Sequence, residues 1–124
     1  MLNRHDIREK IVFALYQHLL LHKDIYECFD DNFVDIEIDD FIRKIRQDII
    51  DNKNNYIDEI SKFLVKWSFD RLDFLDQAIL IASTSEIKTG VNSKSVVIDE
   101  AVIIAKEYLD ENKYKYINGV LDKL

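Results

Sequence analysis

The chain has 124 residues, 48% of them hydrophobic and 33% charged, with a net charge of −7. That fits one soluble globular domain over residues 1–124, able to bury a core without staples. With no proline and only Gly90 and Gly119, it lacks the turn residues a β-fold needs and reads as all-α. Cys28 stands alone, which excludes an intrachain disulfide and a cysteine-based zinc site. The opening MLNRHDIREK is charged where a secretory leader turns apolar, and the apolar runs are too short to span a bilayer. A cytoplasmic protein is expected.

The acidity is local. Asp24, Glu27, Asp30, Asp31, Asp35, Glu37, Asp39 and Asp40 occur with no Lys or Arg among them, and the two ends are neutral to slightly basic. A phosphate-binding face at the ends is compatible with that distribution.

Residues 4–22 predict a first helix, with Ile7, Ile11, Ala14, Leu15 and Leu19 on one face. The acidic connection 24–38 has room for a short helix, its aromatics covering an edge of the core. Asp39 or Asp40 is a candidate N-cap for a helix with the stripe Phe41, Ile42, Ile45 and Ile49. Asn52–Asn55 reads as a polar break, followed by a third helix with Ile57, Ile60, Phe63 and Leu64 inward. Trp67–Leu72 reads as a turn, with Trp67 in the core or wedged between bundles. Phe74–Ile87 predicts a fourth helix and Lys88–Ser95 the clearest loop. Two last helices follow: one carries Val97, Ile98, Ala101, Val102 and Ala105; the other carries Tyr114, Ile117, Val120 and Leu121, after the link Asp110-Glu111-Asn112. Gly119 sits inside the final helix, where glycine costs about 1 kcal/mol against alanine, so close packing or a bend is expected there.

The candidate sites each have two readings. Arg4 and Arg8 are helix neighbours near Lys10. Either they contact phosphates, with His5 adding charge when protonated, or they form a solvated strip and an ion pair. Tyr16 and Tyr116 either stack on unpaired bases or serve as core aromatics with hydroxyls at the surface. Lys113 and Lys115 flank the same region. Asn118 either reads a base edge or makes a structural hydrogen bond. Glu86 and Glu100 either meet a basic partner or pair within the chain, Arg71 being a candidate. His18 and His22 have a zinc-compatible spacing, but no Glu stands in the HExxH position. No nucleophile elbow, phosphate loop or paired-carboxylate motif occurs, so neither catalysis, a cofactor, a metal nor a small-molecule substrate is expected.

Four segments, in order along the chain, carry a family likeness. They are Arg4…Arg8-Glu9…Ala14-Leu15-Tyr16; Trp67…Arg71-Leu72…Asp76-Gln77-Ala78-Ile79-Leu80…Glu86-Ile87; Val97-Ile98-Asp99-Glu100-Ala101-Val102…Ala105-Lys106; and Tyr116-Ile117-Asn118-Gly119-Val120-Leu121-Asp122. Together they resemble the NusB family of bacterial transcription antitermination factors. The resemblance implies six to seven helices in two small bundles. It implies a partner, NusE (a small-subunit ribosomal protein), and binding of the pair to boxA-like single-stranded RNA. RNA polymerase would be engaged indirectly, supporting read-through of ribosomal RNA operons. The candidate RNA-binding residues are then Arg4, His5, Arg8, Tyr16, Lys113, Lys115, Tyr116 and Asn118, with Glu86 for the protein partner. The opening departs from the family's dense arginine run, since His5 and Asp6 hold two of its usual cation positions. Ile81 stands where the family commonly has Arg. A helical adaptor that binds protein without RNA is the alternative.

Overall fold

The computed structural model describes residues 2–110 and 112–124. Met1, and Glu111 in the expected link before the last helix, lie outside the described residues. Six α-helices are present among the described residues: α1 (Arg4–Leu21), α2 (Ile25–Asn32), α3 (Asp40–Ser61), α4 (Phe74–Thr89), α5 (Lys94–Tyr108) and α6 (Lys113–Asp122). A 3-10 turn spans Phe69–Arg71.

Short polar side chains start four of these helices. Asn3 accepts from the Asp6 N–H at 2.9 Å, Asp24 from Glu27 at 3.1 Å, Asp39 from Ile42 at 2.9 Å, and Ser93 from Val96 at 3.5 Å. Each such cap satisfies an orphan donor and stabilises its helix by about 1 kcal/mol. Gly90 ends α4 in the left-handed region, at φ 70°.

α4 is the central helix. Its run Asp76–Ile81 and its stretch Ser83–Glu86 are buried. One bundle, α1 to α3, lies against one part of it, and the α5–α6 pair packs against another. Two buried hydroxyls of α4 find partners: the Thr84 hydroxyl donates to Leu80 O, and the Ser85 hydroxyl to Asp48 Oδ2 at 2.6 Å. Tyr56 donates to the same Asp48 oxygen at 2.7 Å, so Asp48 ties α3 to α4. The short acidic helix α2 buries Phe29, whose ring stacks at 6.1 Å on that of buried Phe33 just past the helix end, and leaves its carboxylates on the outside.

Four expectations are corrected. Asn52–Asn55 does not break the helix, because α3 runs straight through it. Ile45, Ile49, Tyr56 and Ile60 keep one buried stripe across that stretch. Asn52 turns its amide back onto Asp48, and Asn54 and Asn55 face solvent. An asparagine costs a helix only about 0.7 kcal/mol, far less than burying those apolar side chains returns. Trp67 is neither core nor wedge but 59% exposed, Phe69 taking the buried place beside it. The loop expected at Lys88–Ser95 is shorter, since α4 continues to Thr89 and α5 begins at Lys94. Gly119 is not a close-packing point: a Cβ built there meets no atom within 4 Å.

Candidate nucleic-acid interface

Along α1, His5, Glu9, Phe13 and Tyr16 recur about once per turn, and this stripe faces residues of α5. His5 Nδ1 lies 3.1 Å from Glu100 Oε2, while its Nε2 lies 2.6 Å from Glu9 Oε1 and 3.4 Å from Glu107 Oε1. The hydrogen bond to Glu100 and the neighbouring carboxylates hold the imidazole above its ordinary pKa. The Tyr108 hydroxyl donates to Glu9 Oε2 at 2.7 Å, which pushes its pKa up to about 12. Phe13 meets the Tyr108 ring edge to face at 5.2 Å.

Beyond Tyr108 the surface opens into a recess of about 380 Å³. Tyr16 of α1, Asp73, Phe74 and Leu75 at the start of α4, Tyr108 and Asp110, and Lys113 of α6 line it. Tyr16 and Lys113, 97 positions apart in the chain, thus share one depression with two further aromatic rings. Its rings suit stacking on an unpaired base, while Lys113, the one cation in the lining, is paired with Asp73 and shares the recess with Asp110.

Polar contacts brace the residues around the recess. Tyr116 donates to Asp76 Oδ2 at 2.6 Å, and Lys113 donates to Asp73 at 2.6 Å with Asp76 Oδ2 at 3.6 Å. Burial, reinforced by the bond to Asp76, pushes the Tyr116 phenol upward. The bond to Asp73 raises the Lys113 ammonium. Asp76 is 2% exposed, and burial lifts its carboxyl; its Oδ1 has no partner.

Other sites lie apart from this recess or turn inward. Arg4 places its guanidinium 3.9 Å from the Phe41 ring centre, with Asp39 at 3.8 Å. Lys115 and Asn118 are exposed on α6. Arg8, expected at a phosphate, is buried: its Nε lies 3.0 and 3.1 Å from the two Glu86 oxygens, and its Nη2 donates to Oε1 at 2.7 Å. Glu86, expected at a protein partner, is 4% exposed and also accepts from Asn92 at 2.9 Å. Both turn inward for one reason: each side chain satisfies the other's charge inside the fold. Arg71 is not the partner of Glu86 or Glu100, the latter lying beside His5 and, at 3.9 Å, Arg8. His18 has Lys23 O at 2.6 Å from one ring nitrogen and Lys53 Nζ at 3.0 Å from the other, which leaves no ligand pair with His22.

Sequence reasoning missed Glu9, Asp73 and Tyr108 as members of this surface. Only Glu9 left a signal, its spacing of four from His5.

The sequence and the fold have known counterparts. The NusB family matches residues 5–124. The transcription antitermination protein NusB of Borreliella burgdorferi is 38% identical over 108 residues, covering 82% of this chain and 76% of that protein. That of Sulfurovum sp. is 30% identical over 128 residues, covering all of this chain and 98% of its own. Among solved structures, T. maritima NusB superposes with a TM-score of 0.90 at 31% identity, over 98% of this chain and 89% of that one. A structure of NusB and NusE in complex with dsRNA gives a TM-score of 0.85 at 25% identity, over 97% and 93% of the two chains. Sequence and fold agree over nearly the whole length, and the chain belongs to the NusB family.

Proposed function

We propose that this chain is a bacterial transcription antitermination factor. With NusE it binds boxA-like single-stranded RNA, and through that complex it acts on RNA polymerase without catalysing a reaction itself. The observation that carries the reading is the match over residues 5–124, together with the superposition on a structure of NusB and NusE in complex with dsRNA. The recess supports it, with Tyr16 and Tyr108 as stacking rings and α6 alongside carrying Lys113, Lys115, Tyr116 and Asn118. Arg4 and His5 would extend the contact along α1. Among the described residues no helix is long and apolar enough to cross a membrane, which suits a cytoplasmic partner of RNA polymerase.

One observation gives weight to a second reading, an adaptor that binds protein alone. Arg8 is spent inside the fold, and His5 stands among three carboxylates, so the chain brings few free cations to RNA. On the RNA-binding reading, the basic partner supplies that charge. A mobility-shift titration of boxA-like RNA with the chain, with NusE and with both separates the two. A complex that appears only with both proteins, and weakens with salt, supports the proposal. RNA affinity of NusE unchanged by this chain refutes it.

A further inference from the structure

We infer that His5, Glu9 and Glu107 form a binding site for a first-row divalent cation of the Zn²⁺ class, with Glu100 orienting the histidine. His5 Nε2, a Glu9 oxygen and a Glu107 oxygen all lie within 4.8 Å of one another. One nitrogen and two oxygens leave a fourth tetrahedral position for water or a further ligand. Imidazole with carboxylate is a donor set for zinc and its neighbours rather than for magnesium or calcium, which take oxygen alone.

Three features separate this group from a solvated acidic patch. The donors come from two packed helices, His5 and Glu9 one turn apart on α1 and Glu107 near the end of α5. The group is partly sheltered, with side-chain exposures of 29% for His5, 18% for Glu9 and 43% for Glu107. The other ring nitrogen of His5 faces Glu100 Oε2 at 3.1 Å. A carboxylate there fixes the tautomer that turns the Nε2 lone pair toward a cation, as in the carboxylate–histidine–metal arrangement. Among the recorded ion pairs of the described residues, Glu9 and Glu107 meet no cation except His5. Protonated His5 and a bound dication are therefore two solutions to one charge problem. A dication entering between Nε2 and Glu9 Oε1, now 2.6 Å apart, moves Glu9 outward by a fraction of an ångström and displaces the imidazole proton. The site rests on this geometry alone and does not depend on RNA binding.

The test is calorimetric titration of tag-free, chelator-treated full chain with Zn²⁺ near neutral pH, in two buffers of different ionisation heat. One saturable equivalent with proton release is expected. His5→Asn or Glu107→Gln should abolish it, and Glu100→Gln should weaken it by about 10- to 100-fold. Glu107 is exposed, so circular dichroism of Glu107→Gln should match the parent. Co²⁺ should give the visible absorption of a tetrahedral N/O site, lost in the same variants. A His18→Gln/His22→Gln chain should bind as the parent does. Absence of a saturable equivalent, or binding that survives His5→Asn and disappears with His18 and His22, overturns the inference.

Discussion

The Arg8–Glu86 pair offers the sharpest test of how the N-terminal helix is held. The two side chains are 10% and 6% exposed and meet through two guanidinium nitrogens, so both charges are out of water and compensate one another. Removing one partner of such a pair costs about 3–5 kcal/mol, because the survivor is left buried and uncompensated. Arg8→Met leaves Glu86 with only Asn92 as a donor; Glu86→Leu leaves Arg8 with only Glu100 at 3.9 Å. Either loss is a large fraction of the roughly 5–15 kcal/mol that holds a domain of this kind together. The double variant Arg8→Met/Glu86→Leu removes both charges and fills the space with apolar side chains. It should be more stable than either single variant. Urea unfolding followed by far-ultraviolet circular dichroism gives all four free energies and their coupling. Single variants costing under about 1 kcal/mol, with an additive double, would place the pair among weak surface bridges and refute the reasoning.

Tyr116→Phe should destabilise the chain by about 1–3 kcal/mol, since it removes the hydroxyl donor of a carboxyl that is 2% exposed and already has one orphan oxygen. The same urea titration reads it, and a cost near zero would show that Asp76 does not need the phenol. The His5 imidazole has a raised pKa in the fold, so its contribution is present in full below the unfolded value of about 6.5. It is lost as pH rises through the folded value. With chelator present, stability should fall over that window in the parent and less in His5→Gln, whereas equal pH slopes would count against the three-carboxylate setting.

Local structure was readable where a cap and a stripe coincide. Asp39 starts α3 as its sequence suggests, and the Ile42, Ile45 and Ile49 stripe is buried. Asn52–Asn55 misled because weak helix propensity is a local quantity, while the continued burial of Tyr56 and Ile60 is set by α4, remote in sequence. The resemblance placed Tyr16 and the Lys113–Asn118 segment in one functional group, and the fold brings Tyr16 and Lys113 to one recess. Pairing was not readable. Arg8 and Glu86 are 78 positions apart, and His5 and Glu100 are 95 apart. A charged residue in a sequence announces its need for a partner without naming it. The two arginines of the opening helix look equivalent in the sequence, yet one faces Phe41 with its charge accessible and the other is enclosed.

The two glycines separate what the fold requires from what a partner could require. Gly90 has φ 70°, a conformation that favours glycine, and it ends a helix. Gly119 has no such need: it is exposed in α6, outside the left-handed region, and open around its Cα. Against alanine it costs the free chain about 0.5–1 kcal/mol, and nothing within the described fold repays that. Gly119→Ala should therefore raise the urea midpoint of the isolated chain. If the open backbone beside Asn118 is where RNA or NusE approaches, the same substitution should weaken the mixed complex in the mobility-shift titration while leaving the free chain more stable. A loss of stability would show that the glycine serves the fold after all. A gain in stability with unchanged complex formation would remove the Asn118–Gly119 turn of α6 from the contact surface and leave the recess between Tyr16 and Lys113 to carry it.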